Sequence, residues 1–435
     1  MTPRNPITIN RSFDLTLLLL FSAVLGITGA ITTLIVYPLA LTLCLYVFVV
    51  RLKDSITFLA RHKSEKIYLL ILLGFSIVAL LLSLFHALFP PIQNAVPRYN
   101  ETFKILFDFA VLPCIALALG LRINKREYRK VLAIFSIGTV ISGFIVLFTH
   151  YHIWEFAQPK TLLANMFYLR LTAGGSNIPW IKVFLKTFSL YPAIGALFAF
   201  YLVGKTKRWK RFGWIIIFII NSFFLMVTVT RGVIIGFLVG FLFIAVFTFN
   251  KLSKGKKLLV FSIFATVIIL IFSSLPDSFL GRFSRIGIDV KDFYYSGKDT
   301  TSVPIRLTIW QILLSHWKEY FIAGTGSQWS LACLYDYYCQ AGQFSYIGPG
   351  KFSHHHNQYL SYLHSYGITG LLFLISLFVY PIFKMVQKKW VSPLLVAVIL
   401  VFVCCSVEDI YISNQISSPL LFVIFFIFFQ TRNRD

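Results

Sequence analysis

Long apolar runs with almost no charge constrain this chain more than any other feature. Residues 67–89 and 258–275 are two of them, and each approaches or exceeds the roughly 20 residues that a helix needs to cross a bilayer. Such runs recur at about 13–30, 32–50, 67–89, 102–121, 131–149, 184–203, 213–229, 232–249, 258–275, 366–383, 391–407 and 415–429. The expected architecture is an all-α polytopic integral membrane protein, a single transmembrane domain over residues 1–435 with about twelve transmembrane helices. A soluble globular fold is excluded, because 57% of the residues are hydrophobic and 13% charged, against about 25% charged in soluble proteins.

The net charge of +24 would point to a nucleic-acid partner in a soluble protein, so its distribution matters. Twenty-six of the 40 Lys and Arg residues fall in alternate short loops and at the two ends, as in Arg51–Lys66, Arg122–Lys130, Lys205–Arg211 and Lys384–Lys389. Short loops rich in positive charge stay on the cytoplasmic side. Both termini are therefore expected to be cytoplasmic, the first helix to be an uncleaved anchor, and the charge excess to report topology. No nucleic acid is needed to explain it.

The opposite face has one dominant feature, residues 276–357 between the ninth and tenth spans, too polar to cross and too long for a simple connection. A shorter excursion covers about 151–181. Chemistry, if present, belongs on this face. Within the large loop, the segment from Arg306 to Phe321 places Ile309, Leu313 and Trp317 on one helical stripe, as expected of an amphipathic helix lying on the membrane or capping a cavity. The following Gly324-Thr-Gly326 reads as a turn or, less specifically, as a phosphate loop.

The loop ends in His354-His355-His356-Asn357, where an outer helix enters the membrane. An imidazole titrates near neutrality, so a positioned one can take the proton from an attacking hydroxyl; the alternative is an interfacial polar side chain. Three consecutive histidines on a helix point about 100° apart and cannot all face one ion, so no metal site is expected. Arg231 stands between two apolar runs with almost no loop, where a charge is costly and marks a functional site unless it snorkels to lipid headgroups. Arg170, Lys182 and Arg306 are further outer-face cations. Arginine forks match phosphate oxygens, and a convergent set would clamp a pyrophosphate. Glu408 and Asp409, at the outer end of the eleventh span, can orient a histidine or pair an arginine, and a salt bridge is the simpler role. Cys44, Cys114, Cys404 and Cys405 lie in apolar spans as small hydrophobes. Cys333 and Cys339 sit in the polar loop and are a disulfide candidate if it faces an oxidising compartment.

These residues carry a resemblance. His356-Asn357, nine residues, Gly367, two residues and Gly370 fit H-[NSQ]-x9-G-x-x-[GTY], the pattern of the bacterial O-antigen ligases. Thr230-Arg231-Gly232 at a span junction is similar to the family's outer-face arginine, although Ile235 stands where the family's R-x-x-x-L has Leu. Arg306 through Trp310 to Gly324-Thr-Gly326 resembles the R-x-x-x-W…G-x-G stretch of the wider ligase and polymerase superfamily. The resemblance covers roughly residues 165–425; the first 150 residues match only as spans.

What it implies is a GT-C-like, metal-independent, inverting membrane glycosyltransferase without a cofactor, in the inner membrane of a Gram-negative bacterium. Such an enzyme moves a glycan from undecaprenyl pyrophosphate to lipid A–core oligosaccharide on the periplasmic face, amid membrane lipids. His356 would be the general base, and Arg231 and Arg306 would neutralise the pyrophosphate. Arg170, Lys182, Asn357, Tyr366 and Asp409 would contact substrate. An O-antigen or capsule polymerase shares the donor and topology, and the ungapped His-Asn and glycine spacing favours the ligase. A transporter for lipid-linked glycans should show internal repeats or broken charged helices at mid-membrane, and the sequence has neither.

Overall fold

The computed structural model describes residues 7–28, 35–93, 95–120, 123–150, 188–207, 209–228, 230–249, 287–291, 302–341, 355–389, 391–412 and 417–430. The secondary structure of the described residues is helical throughout. We number the principal helices α1 (Ile7–Ile27), α2 (Val36–Arg61), α3 (Lys63–Leu88), α4 (Asn100–Gly120), α5 (Lys125–His150), α6 (Leu190–Val203), α7 (Trp209–Thr228), α8 (Arg231–Phe249), α9 (Ser302–Ser315), α10 (Ser330–Gln340), α11 (Gln358–Gln387), α12 (Pro393–Glu408) and α13 (Leu421–Gln430). Six stretches among them are long and apolar enough to cross a membrane, and α6, α12 and others are shorter apolar helices. Each apolar run of the sequence coincides with a helix, except 258–275, which lies outside the described residues.

Local chemistry sets the ends. Asn124 caps α5 by accepting from the Arg126 and Glu127 N–H groups, both at 2.9 Å, while the Glu127 carboxylate accepts from the Asn124 N–H at 2.8 Å. Two orphan donors are thus satisfied reciprocally. Ser392 caps α12 from its side chain, with Pro393 in the first turn where its missing N–H costs nothing. Helices α2 and α4 each contain a π turn, Val47–Arg51 and Phe107–Val111.

Packing between spans relies on small residues, since lipid offers apolar surfaces no advantage in pairing with each other and close backbone approach supplies the attraction instead. Gly26 on α1 meets Gly138 on α5; a Cβ on Gly26 would lie 2.7 Å from the Phe135 carbonyl oxygen. Aromatic stacking joins α3 to α11, where the Phe75 and Phe373 rings are parallel with centroids 3.7 Å apart.

Two of the Lys-rich segments, 51–66 and 384–389, meet at one end of the bundle. There α2 ends where α3 begins, and the Lys388 ammonium donates to the Ser64 hydroxyl. Arg51, in the π turn of α2, pairs with Asp14 of α1 at 2.6 Å, both side chains almost fully buried. The opposite end holds the start of α8, the end of α12 and the start of α11.

The described part of the large loop has a hydrophobic core of its own. Ile309, Ile312 and Leu313 of α9 pack with Tyr320, Trp329, Cys333 and Leu334 of the following segment. The stripe expected across Ile309, Leu313 and Trp317 is therefore realised only in part. Helix α9 stops at Ser315, and Trp317 begins a separate turn, Trp317–Tyr320, with its side chain exposed.

Candidate functional site

Arg231 is the first residue of α8, and Glu408 is the last of α12. Glycines at every fourth position bring these two helices together. A Cβ on Gly240 would lie 2.7 Å from the Ala397 carbonyl oxygen, one on Gly236 3.0 Å from the Val401 Cα, and one on Gly232 2.5 Å from the Glu408 Oε2. With no side chain in the way, the Gly232 N–H donates to that same carboxylate oxygen.

Glu408 then receives two cations. The Arg231 Nε lies 3.8 Å from its Oε1, and the Arg306 Nη1 donates to the same oxygen at 3.1 Å. Arg306 comes from the large loop, on α9. Trp310, one helical turn further on and so on the same face, donates its indole N–H to the His355 carbonyl oxygen at 3.2 Å. The R-x-x-x-W spacing thus holds a cation and a backbone clamp on one side of α9. Two guanidinium groups share one carboxylate oxygen. The Arg306 Nε, buried, has no hydrogen-bond partner. A site with surplus, preformed guanidinium donors suits a phosphate-bearing anion.

His356 stands beside the cluster through the next residue along. Asp409 follows Glu408, is 5% exposed, and places its Oδ1 3.7 Å from the His356 Nδ1. At that distance the contact is electrostatic, longer than a hydrogen bond. The backbone of His356 is left-handed, at φ 54°. For a residue with a Cβ that conformation costs about 1–3 kcal/mol and persists only where the surroundings enforce it. They do so from both sides. Asn357 caps α11, its Oδ1 accepting from the Leu360 N–H at 3.0 Å and its Nδ2 donating to the Val407 carbonyl at 3.3 Å. His355 is held by Trp310 and by a ring contact with His364.

The pattern glycines support this entry. Helix α11 kinks at Gly367 (φ 65°, ψ −158°), and the kinked backbone pairs with the turn at Gly324-Thr-Gly326. The Thr325 N–H donates to the His364 carbonyl at 2.8 Å, the Gly326 N–H to the Ser365 carbonyl at 3.0 Å, and the Ile368 N–H to the Phe321 carbonyl at 2.6 Å. Gly324 and Gly326 take φ of +70° and +81°, and a Cβ on Gly367 would lie 2.2 Å from the Ile322 oxygen. The glycines dock the loop onto α11; this turn is structural, and its N–H groups are spent on the protein.

Of the residues expected to act, Arg231, Arg306, His356 and Asp409 are brought together around the Glu408-Asp409 dipeptide. Asn357 is adjacent, but both ends of its amide serve the helix. Tyr366 is placed in the aromatic packing, its ring centroid 5.3 Å from Phe75 and 5.6 Å from Tyr362, with no bond to the cluster. Arg170 and Lys182 lie outside the described residues. The Cys333–Cys339 disulfide is not formed: both are free thiols on α10. Six residues of helix separate them by about 9 Å along the axis, beyond the roughly 7 Å that a bridge spans. Burial pushes the Cys333 thiol up to about 12, so it remains a neutral core side chain.

Glu408 takes the salt-bridge role that its position suggested; what sequence reasoning did not find is that two arginines share its carboxylate. The Gly232, Gly236 and Gly240 spacing was the available signal, because a small-residue stripe that starts beside Arg231 demands a close partner helix.

Fold and site together define a polytopic helical membrane protein with two arginines on one carboxylate, and a histidine beside the next, at one end of its bundle. The family model described as O-antigen ligase matches residues 214–375, just over a third of the chain, including Arg231, Arg306 and His356. That match supports the O-antigen ligase family over this segment, and the long apolar helices are those of a multi-pass membrane protein. No curated protein matches the chain.

Proposed function

We propose that this protein is an O-antigen ligase that transfers a glycan from undecaprenyl pyrophosphate to lipid A–core oligosaccharide on the periplasmic face of the inner membrane. The observation that carries the reading is the Glu408-Asp409 dipeptide, which holds two arginines on one carboxylate and a histidine on the next. The donor pyrophosphate lies against Arg231 and Arg306. His356 Nε2 takes the proton from a core-sugar hydroxyl as its oxygen attacks the anomeric carbon. The bond from that carbon to the pyrophosphate oxygen breaks on the opposite face, so configuration inverts, and the arginines neutralise the charge developing on the leaving group. Asp409 steadies the imidazolium until its proton is released to water or to the departing phosphate.

The deciding experiment uses the purified full chain, a defined undecaprenyl-pyrophosphate glycan and rough lipopolysaccharide, with chelator present. Glycan appearing on lipid A–core, independent of added divalent metal, is expected. Elongation of the lipid-linked glycan without transfer to lipid A–core would make the protein a polymerase, and no transfer to either acceptor would overturn glycosyl transfer.

A further inference from the structure

Nothing in the chemistry above uses His364, yet it is completely buried, two turns into α11 from His356. Its Nδ1 is 3.0 Å from the Nε2 of His355, whose ring is also buried. The Tyr320 ring stands edge-on at 4.7 Å and Tyr337 at 5.8 Å, so the imidazole sits in an aromatic box. Its Nε2 has no hydrogen-bond partner. A buried histidine that leaves one nitrogen unsatisfied is a poor filler, since Phe would occupy the same slot with no polar penalty. Its one side-chain hydrogen bond goes to the residue immediately before the strained His356.

We propose that His364 is a positioning residue for His356, acting through the His355 ring. The inference rests on the reading of His356 as general base. A single N–H bridges the two rings and anchors the His355 side chain, while Trp310 anchors its carbonyl. With Asn357 pinned on the other side, the backbone torsion of His356 has no freedom to relax out of the left-handed region, and its ring stays against Asp409.

The test compares His364→Phe, His364→Asn and His356→Ala in the purified full chain with the defined donor and rough lipopolysaccharide. Phe fills the box without the hydrogen bond; the Asn amide reaches the place of Nδ1. His364→Phe is expected to keep the thermal midpoint and the donor KM while kcat falls at least tenfold, and His364→Asn to recover most of the loss. Wild-type kcat in His364→Phe, or equal losses in Phe and Asn, overturns the positioning role. Normal transfer by His356→Ala instead sinks the general-base reading itself, so the two failures are told apart. Should His364→Phe not fold, His355→Phe carries the same expectation, and wild-type kcat in His355→Phe overturns the proposal.

Discussion

Two clusters of arginine and carboxylate, at opposite ends of the bundle, have inverse stoichiometry. At the Lys-rich end Arg51 meets two carboxylates, Asp14 at 2.6 Å and Asp54 at 3.3 Å, and the Tyr46 hydroxyl donates to Asp14. At the other end Glu408 meets two arginines. The first cluster is closed: its arginine is almost fully buried and its charge is more than matched. The second puts two arginines on one carboxylate and is partly open, with Arg231 and Glu408 about a fifth exposed. Similar residues therefore staple helices in one place and, on the proposed function, meet the donor's anion in the other. How the charges are shared and how open the cluster is, rather than the presence of an ion pair, separate the two.

The comparison can be broken in several ways, beginning with the largest effect. His356→Ala should reduce glycan transfer by about 100-fold to 10,000-fold, the usual contribution of a general base, while fluorescent donor still binds. Retained transfer would remove the open cluster's histidine from the chemistry. Arg306→Lys keeps the charge but loses the fork, so the donor KM should rise about tenfold or more, with the thermal midpoint unchanged. If Lys supports wild-type KM, the guanidinium geometry is irrelevant and only charge matters. At the closed cluster the outcome should invert: Asp14→Asn leaves Arg51 buried without its close partner and is expected to cost about 3–5 kcal/mol of stability, read by unfolding, with transfer per folded molecule unchanged. A large loss of specific activity there would erase the distinction between the clusters. The smallest effect concerns neither cluster directly. Maleimide at pH 8 should label Cys339 well before Cys333, because a thiol pushed up to about 12 carries almost no thiolate at that pH.

Much of the molecule was legible in the residue order because hydrocarbon imposes one-dimensional rules. Apolar run length sets the helices, and eleven of the twelve expected runs fall on described helices. Arg231, Arg306 and His356 could be singled out because a charge or an imidazole at a span end is costly wherever the chain goes next. The role of Glu408 was not legible in the same way. Its importance comes from the Gly232–Gly240 face closing onto α12 across more than 150 residues of chain, a fact of packing. Tyr366 shows the opposite error: sequence spacing places it beside the candidate site, but its ring turns into the packing against Phe75. Cys333 and Cys339 were paired on the polarity of their loop and its compartment, and a helix runs between them that holds the two thiols apart.

The sequence by itself determined that the chain is an all-helical membrane protein, because no other arrangement satisfies so many long apolar runs, and it marked which cations and histidine stand at span ends. Only the tertiary structure decided that Asp14 neutralises Arg51 whereas Arg231 and Arg306 share one carboxylate, and that the pattern glycines serve docking. Hydropathy acts on each segment independently and so can be read along the chain. Charge compensation and backbone approach act between segments, and exist only once the helices have chosen their neighbours.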